Sequence, residues 1–373
     1  MKVQFSYLGK QFSEVDHILE SIKRVALRGD FTLGGEVMEF EGKFAEICGT
    51  EYAVGVNSGT DAIFLSLKAL GIGLGDEVIT VPNTFFATVG AIIATGARPV
   101  FVDVGDDYLI NASLIEGAIT TRTKAIVPVH LTGNICDMDQ IMDIAVKRGL
   151  YVVEDACQAI GASFDGKKAG SFGNMGAFSL HPLKNLNVWG DGGMITTNLP
   201  FYCNKLCKLR NHGLRDRDTC EFYAYNSRLS TVQAAVGLEV LKDLEKVTQA
   251  RSEFAGAYDS QLDFRFSNYG VSQIKIPHRS GHKKQVFHLY MVLAENRDAL
   301  LKYLLENGVE AKVHYPVPLH LQPASRYLGY RKGRFPVCEV QAEKVISLPL
   351  HQHITIEEIE YVVALIRKFY GNA

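Results

Sequence analysis

The stretch Leu150-Tyr151-Val152-Val153-Glu154-Asp155-Ala156-Cys157-Gln158 decides the fold class. Its apolar, β-branched first half predicts a buried strand, and the strand ends at a carboxylate, Asp155. Similar runs and helical patterns precede it, with strands at 78–81, 99–102 and 125–127 and helices at 62–70 and 138–148. Alternating strands and helices with nearly continuous apolar strands predict an α/β fold, in which a mostly parallel sheet has both faces covered. Such sheets bind ligands beyond the carboxyl ends of their strands, so Asp155 lies where chemistry is expected.

The regular alternation of strands and helices does not continue in the remainder of the chain. A long helix is predicted from 231 to about 251, where Ala, Leu and Val recur at helical spacing. Beyond it lie a strand-like run and two helical patterns, at 286–292, 297–306 and 356–370. We therefore predict a large domain over residues 1–251, with an N-terminal helical segment, and a smaller α+β domain over residues 252–373.

Composition excludes several classes of protein. The chain has 373 residues, 39 Lys plus Arg, 41 Asp plus Glu and a formal charge of −2. No basic block indicates nucleic acid or an anionic membrane surface as a partner. The N-terminus does not resemble a signal peptide, and no run approaches the ~20 apolar residues of a membrane span, so we expect a cytoplasmic protein. Its seven cysteines are scattered, which favours reduced, buried thiols over disulfides or a metal site.

The first candidate site is Asn57-Ser58-Gly59-Thr60-Asp61-Ala62, directly before an apolar-periodic helix. Free backbone N–H groups, two hydroxyls and the positive end of a helix dipole would suit a phosphate. Ser and Thr are also common N-cap residues, so an ordinary helix cap is an alternative.

The second candidate site combines Asp155 and Gln158 after the strand. Asp155 could pair with a protonated ring nitrogen and so make a ring an electron sink, while Gln158 could bond a ring hydroxyl. A helix-capping aspartate is the alternative.

The third and strongest candidate is Ala177-Phe178-Ser179-Leu180-His181-Pro182-Leu183-Lys184-Asn185-Leu186, followed by glycines at 190, 192 and 193. A lysine in an apolar setting has a lowered pKa, which exposes the amine lone pair that Schiff-base chemistry requires. Ser179 could contact a phosphate. The alternative is a surface lysine before a plain hairpin turn.

These segments together resemble the DegT/StrS family of pyridoxal-phosphate sugar aminotransferases, which have the aspartate-aminotransferase fold. The similarity extends from the first helix almost to the C-terminus. The matching segments are 57–62, 129–133, 154–161, 178–186, 210–213, 226–229 and 314–320. The resemblance implies a fold-type-I enzyme, with a mostly parallel seven-stranded sheet in its large domain and a smaller C-terminal α+β domain.

The resemblance also assigns roles to individual residues. Lys184 matches the lysine that holds pyridoxal 5'-phosphate as a Schiff base and then transfers the proton, and Asp155 the acid that pairs with the pyridinium nitrogen. The other implied contacts are Gln158 near the ring hydroxyl, Gly59, Thr60 and Ser179 at the phosphate, and Phe85 stacked on the ring. Asn226 matches a residue that reaches the phosphate from the neighbouring subunit, which implies a homodimer with shared sites.

Five further residues could face the substrate. His181 could lie near the ring or position a sugar, and Trp189 could form a wall of the sugar pocket. His314, Tyr315 and His320 belong to a stiff, proline-containing segment that resembles the family's substrate-facing loop. Structural packing is the alternative for the histidines and for Trp189.

The resemblance implies an aminotransferase that takes an amino group from glutamate, passes through pyridoxamine phosphate and delivers it to a keto sugar. The turn Gly190-Asp191-Gly192-Gly193 is more similar to members acting on 3-keto nucleotide sugars, whereas 4-keto enzymes more often read Thr-Gly-Glu-Gly-Gly. We expect a nucleotide-linked 3-keto-deoxyhexose, used for polysaccharide or secondary-metabolite biosynthesis. A lysine at 184 argues against the family's dehydratases, which carry histidine there, and the intact candidate set argues against a non-catalytic regulatory relative. A nicotinamide dehydrogenase would need a Gly-x-Gly-x-x-Gly turn, which does not follow the first strand.

Overall fold

The computed structural model describes residues 1–262 and 273–371 of the chain. Its α-helices are α1 (Leu8–Gln11), α2 (Asp16–Arg28), α3 (Gly35–Cys48), α4 (Gly59–Ala69), α5 (Phe86–Ala94), α6 (Met138–Arg148), α7 (Pro200–Leu209), α8 (Thr231–Leu241), α9 (Leu244–Leu262), α10 (Arg297–Glu306), α11 (Pro336–Lys344) and α12 (Ile356–Phe369). Its strands are β1 (Tyr52–Val56), β2 (Glu77–Thr80), β3 (Arg98–Phe101), β4 (Thr123–Ile126), β5 (Tyr151–Asp155), β6 (Ser163–Phe164), β7 (Lys167–Lys168), β8 (Met175–Ser179), β9 (Gly193–Thr197), β10 (Ile274–Lys275), β11 (Lys283–Lys284), β12 (Tyr290–Ala294) and β13 (Val345–Leu348).

The central element is a seven-stranded sheet with the order β1-β9-β8-β5-β4-β2-β3. Its members pair in parallel except β9, which runs antiparallel to both of its neighbours, β1 and β8. The α/β class and the mostly parallel seven-stranded sheet are therefore confirmed. Strands β1, β5 and β8 point the same way, so the residues that follow them meet at one edge of the sheet.

Both faces of this sheet are buried. Alternate residues of a strand point to opposite faces, and in β5 Val152 joins one hydrophobic cluster while Val153 joins the other. The same division separates Ile79 from Val78 in β2. Burial on both sides explains why these strands read as continuous apolar runs in the sequence.

A second core lies on a smaller, antiparallel sheet of order β10-β12-β13. Residues of α9, α10 and α12 pack on it, and Val3 near the N-terminus joins them. Helix α12 begins with a capping box, in which Thr355 and Glu358 each bond the other's backbone N–H. Position 251 lies inside α9, and the division of the chain at 251/252 stays a prediction.

Two predicted elements differ from the structure. The single helix expected over 231–251 is two helices, α8 and α9, separated at Lys242 and Asp243. No glycine or proline marks that break. Helix α8 packs against α2 and α3 whereas α9 packs against α12, so tertiary packing sets the change of direction. The strand expected at 286–292 begins only at Tyr290, because Phe287 has a left-handed φ of 48° and the carbonyls before the strand bond to a side chain.

The seven cysteines are all free thiols. Cys220 is exposed, Cys157, Cys203 and Cys207 are half-buried, and only Cys48, Cys136 and Cys338 are buried, which corrects the expectation that all seven are buried. Across residues 1–262 and 273–371, no helix combines the length and apolar character needed to span a bilayer.

Candidate active site

A cavity of about 330 Å³ opens at the carboxyl edge of the large sheet. Sequence-predicted site residues that line it are Gly59, Thr60, Phe85, Asp155, Gln158, Ser179, His181, Lys184, His314 and Tyr315. They come from distant parts of the chain, and parallel strands bring them together because the turns after β1, β5 and β8 share this edge.

The N-terminus of α4 forms an anion cradle at one end of the cavity. Ser58 is the N-cap, and its hydroxyl accepts a hydrogen bond from the Asp61 N–H at 3.1 Å. Gly59 lies against Ser179 so closely that an added Cβ would stand 2.6 Å from the Ser179 Cβ. The cap and the anion site are therefore compatible, since Gly59 and Thr60 lie in the first turn and Ser179 faces them.

Asp155 is held rigidly where β5 ends. The Thr88 hydroxyl donates to its Oδ2 at 2.7 Å, and the Cys157 N–H donates to its Oδ1 at 3.2 Å. The Thr88 hydroxyl in turn lies 2.8 Å from that of Thr84. The carboxylate is only 5% exposed, so it presents a fixed negative charge to the cavity.

Gln158 and Phe85 line the cavity on either side of that charge. Gln158 accepts a hydrogen bond through Oε1 from the Thr132 N–H at 2.8 Å, which leaves its amide nitrogen as a donor. The Phe85 ring is 53% exposed and lies 6.1 Å from the Tyr315 ring, centroid to centroid. Phe85 lines the cavity, whereas the neighbouring Phe86 is not among its lining residues.

Lys184 has a fixed backbone and a free amine. Its carbonyl accepts hydrogen bonds from the Tyr7 hydroxyl at 3.1 Å and the Asn187 amide at 2.9 Å. Among the described residues, its Nζ has no hydrogen bond or ion pair. Desolvation lowers the pKa of Lys184, although the Cys157 thiol and the Asp155 carboxylate oppose that shift. The side chain therefore has the properties of a nucleophilic amine.

Three neutral imidazoles surround this amine. Burial lowers the pKa of His181 and of His288, the latter well below its usual value, and brings the pKa of His314 to about 4. His181 accepts from the Leu183 N–H through Nδ1, at 3.3 Å. The Nδ1 of His314 lies 2.8 Å from the Ser347 hydroxyl. At neutral pH these side chains offer hydrogen bonds rather than charge.

Three of the sequence-predicted residues lie outside the cavity of their own chain. Asn226 is exposed and pairs with Asn211 through an isolated bridge. Trp189 packs edge-on against Phe12, with ring centroids 5.5 Å apart. His320 is buried, 3.0 Å from a carboxylate oxygen of Glu339, which places it in packing rather than at the cavity.

Sequence reasoning missed several residues that shape the site. Thr88 fixes Asp155, Thr132 orients Gln158, and His288 forms part of the cavity wall. Thr88 follows Phe85 and Phe86, whose rings give the stronger signal in that segment. Thr132 lies in the matching segment 129–133, but no residue pattern there gives it a role, and nothing local to His288 connects that residue to the site. Both reach the site through tertiary contacts.

This arrangement fits a cofactor that combines a phosphate, an aldehyde and a basic ring nitrogen. The N-terminus of α4, with Ser179 packed against Gly59, suits the phosphate, the free Lys184 amine suits the aldehyde, and the buried Asp155 suits the protonated nitrogen. Fold and site together define the class of pyridoxal-phosphate-dependent transferases.

The family follows from comparison with known proteins. Residues 13–367 match the DegT/DnrJ/EryC1/StrS aminotransferase family, and the chain belongs to that family. A pleiotropic regulatory protein of Geobacillus stearothermophilus is 39% identical over 374 residues, which cover 100% of both chains. The dTDP-3-amino-3,4,6-trideoxy-alpha-D-glucose transaminase of Streptomyces venezuelae is 41% identical over 350 residues, covering 94% of this chain and 91% of the relative.

Solved structures agree with this placement. DesV of S. venezuelae, in complex with a ketimine intermediate, superposes with a TM-score of 0.94 at 40% identity and covers 99% and 98% of the two chains. NtdA of Bacillus subtilis, with the bound cofactor PMP, gives a TM-score of 0.89 at 32% identity and covers 97% and 85%. The resemblance, the fold type and the cofactor are therefore confirmed, and the protein is a pyridoxal-phosphate-dependent aminotransferase.

Proposed function

We propose that this aminotransferase moves an amino group from glutamate to a nucleotide-linked 3-keto-deoxyhexose. One observation carries the proposal, namely the free, desolvated Lys184 amine in the same cavity as the fixed Asp155 carboxylate. The Lys184 amine holds and moves the proton at the reacting carbon, and Asp155 keeps a positive charge on the ring nitrogen. When bound, the cofactor supplies the electron sink that stabilises a carbanion.

The other residues bind and orient. Gly59, Thr60 and Ser179 would hold the phosphate of the bound cofactor, the Gln158 amide nitrogen would donate to its ring hydroxyl, and the Phe85 ring would stack on it. His181, His314 and Tyr315 face the substrate and are neutral at pH 7, since burial lowers the pKa of both histidines and raises that of the Tyr315 phenol. Neutral donors and acceptors suit the hydroxyls of a sugar.

Two observations support the position of the keto group. The Streptomyces relative is named for a 3-amino sugar, and the turn at 190–193 is similar to that of 3-keto enzymes. Asp191 of that turn lines the cavity, so the turn is in a position to contact a substrate. The product would serve polysaccharide or secondary-metabolite biosynthesis.

Spectral titration tests this function. The pyridoxamine-phosphate form is mixed with dTDP- and UDP-linked keto sugars, and return of the pyridoxal absorbance reports amino transfer. We expect 3-keto-deoxyhexoses to react fastest. Faster reaction of 4-keto sugars would overturn the assigned position. A protein that neither took an amino group from glutamate nor gave one to a sugar would point instead to a regulatory role like that named for the Geobacillus relative.

We further propose that the enzyme is a homodimer whose sites are shared. Asn226 lies outside the cavity of its own chain, on an exposed loop next to aromatic side chains, of which Tyr223 is 100% exposed. An exposed aromatic cluster of this kind suits a protein interface. In the partner's site, the Asn226 amide would donate to the phosphate.

Hybrid dimers test the sharing of sites. Lys184→Ala removes the amine from the site of its own chain, and Asn226→Ala removes the amide that would reach the site of the partner. The two inactive variants are mixed, unfolded together and refolded. A shared site predicts recovery of about a quarter of wild-type activity, because half of the dimers are hybrids with one intact site. If each site used only its own chain, mixing would restore nothing.

A further inference from the structure

His288 lies in the cavity wall on a strained segment. The residue before it, Phe287, has φ 48°, a left-handed conformation that is uncommon for an aromatic residue. Strained backbone of this kind clusters at functional sites. The side chain that this conformation positions is that of His288.

The segment is held from three sides. The Arg251 guanidinium donates to the carbonyls of Phe287 and His288, at 3.0 and 3.4 Å. The amide of Asn185, the residue after Lys184, donates to the Val286 carbonyl at 2.9 Å. On the third side, the Val286 N–H donates to the carbonyl of Gly133 at 2.9 Å. His288 is thereby fixed relative to the Lys184 backbone.

The two ring nitrogens of His288 have different surroundings. Nδ1 is enclosed and has no hydrogen-bond partner among the described residues. Nε2 is neither enclosed nor hydrogen-bonded within that part of the chain, and His288 lines the cavity. Orphaned buried N–H groups are rarer than orphaned acceptors, so the proton belongs on Nε2. The ring therefore presents a neutral N–H donor to the cavity.

We propose that His288 is a specificity-determining residue, whose Nε2–H donates a hydrogen bond to a hydroxyl oxygen of the amino-accepting sugar. This inference rests on the proposed sugar substrate and assigns its recognition to a residue outside the family-derived set. Because burial and the Lys184 charge keep the pKa of His288 well below its usual value, the donor stays neutral and adds no ionic attraction for the carboxylates of glutamate. The glutamate half-reaction should therefore not depend on it.

Calorimetric binding of a dTDP-linked 3-amino-3,6-dideoxyhexose to the pyridoxal form provides the test. His288→Leu should weaken its binding about 10- to 100-fold, the usual cost of leaving a buried partner unpaired. His288→Gln should recover most of the affinity, because its amide nitrogen occupies nearly the position of Nε2. The glutamate half-reaction, followed by absorbance, should change less than about 2-fold in both variants. Wild-type affinity should stay flat from pH 6 to 8.

The matched control is His282→Leu, an exposed histidine whose side chain is 73% accessible and which does not line this cavity. It should leave binding and both half-reactions unchanged. Equal losses in the sugar and glutamate half-reactions of His288→Leu would overturn the inference in favour of a structural role, as would unaltered sugar binding. A wild-type protein that failed to bind the probe at all would instead overturn the proposed sugar substrate, and this inference with it.

Discussion

Two walls of the active-site cavity differ in how their polar groups are used. On the fixed wall, formed by Asp155, Gln158 and Ser179, each side chain already accepts a hydrogen bond from the protein. On the open wall, formed by His288 and His314, the Nε2 atoms have no partner among the described residues. This difference matches two tasks. Side chains that the protein already holds in place suit a cofactor that is bound throughout the reaction, whereas side chains with unused hydrogen-bonding atoms suit a substrate with many hydroxyls.

The two walls also differ in their electrostatics. Asp155 presents a buried negative charge, whereas the pKa of His314 is lowered to about 4 and burial and Lys184 hold that of His288 well below its usual value. Charge on the fixed wall is therefore suited to catalysis, and neutrality on the open wall to recognition. The following changes test this division in order of their expected effect.

The largest effect should come from Lys184→Ala, between the two walls. Loss of the amine removes both the covalent attachment and the proton carrier, so kcat should fall about 1000-fold or more and the protein should lose its yellow colour. Lys302→Ala, at an exposed position of α10, is the matched control and should behave as wild type. Near-normal turnover by the Lys184 variant would show that another group moves the proton.

Asp155→Asn should have the next largest effect. The amide keeps the size of the side chain but not its charge, so the glutamate half-reaction should slow by about 100-fold or more while urea unfolding is little changed. Stopped-flow absorbance measures the rate. An unchanged rate would show that the charge of Asp155 does not assist the glutamate half-reaction.

A smaller effect is expected for Thr88→Val, which removes the donor to Asp155 at nearly constant volume. A hydrogen bond to a charged group contributes about 1.5–3 kcal/mol, so the glutamate half-reaction should slow by roughly 10- to 100-fold. Thr84→Val removes only the next hydroxyl and should slow it less. If the two variants were equally slow, the Thr88 contact would have no special role in holding the carboxylate.

The smallest effect concerns stability at acid pH. The pKa of His314 is lower in the folded state, about 4, than its ordinary value of 6.5. The unfolded chain therefore binds more protons between those values, and the free energy of unfolding falls as the pH drops through that window. His314→Asn should make this slope shallower by at most about 1.4 kcal/mol per pH unit. Urea unfolding at pH 4.5 and 7.5 measures it, and an unchanged slope would mean that His314 is protonated in the folded protein.

The sequence predicted the fixed wall far better than the open one. The apolar run before Asp155 predicts a strand that ends there, with Gln158 just beyond it, so their place at the carboxyl edge is predictable. Ser179 ends β8, a strand that was not predicted, and its role was assigned by the family resemblance. His288 could not be placed in this way. Its position depends on the φ of Phe287 and on Arg251, a residue 37 positions away. Neither can be recognised from the residues that surround His288 in the sequence.

Elements were predicted well where pattern and packing agree. Helix α6 has the predicted bounds, since Asp137 caps its start and Gly149 follows its end. The break between α8 and α9 was missed because the apolar periodicity continues across it, and only the different partners of the two helices reveal it. The role proposed for Asn226 depends on a second chain, which the sequence pattern of one chain cannot position.

The contacts of the N-terminal segment bear on when the active site can form during synthesis. Val3 pairs with Val309, the Phe5 N–H bonds the Glu310 carboxylate 305 positions away, and Tyr7 holds the Lys184 carbonyl. The Tyr7 contact spans 177 positions and can form once about half of the chain has emerged, whereas the contacts of Val3 and Phe5 need residues 309 and 310. Contacts of such long sequence separation form slowly, so the N-terminal segment completes its docking only when the last part of the chain is being made.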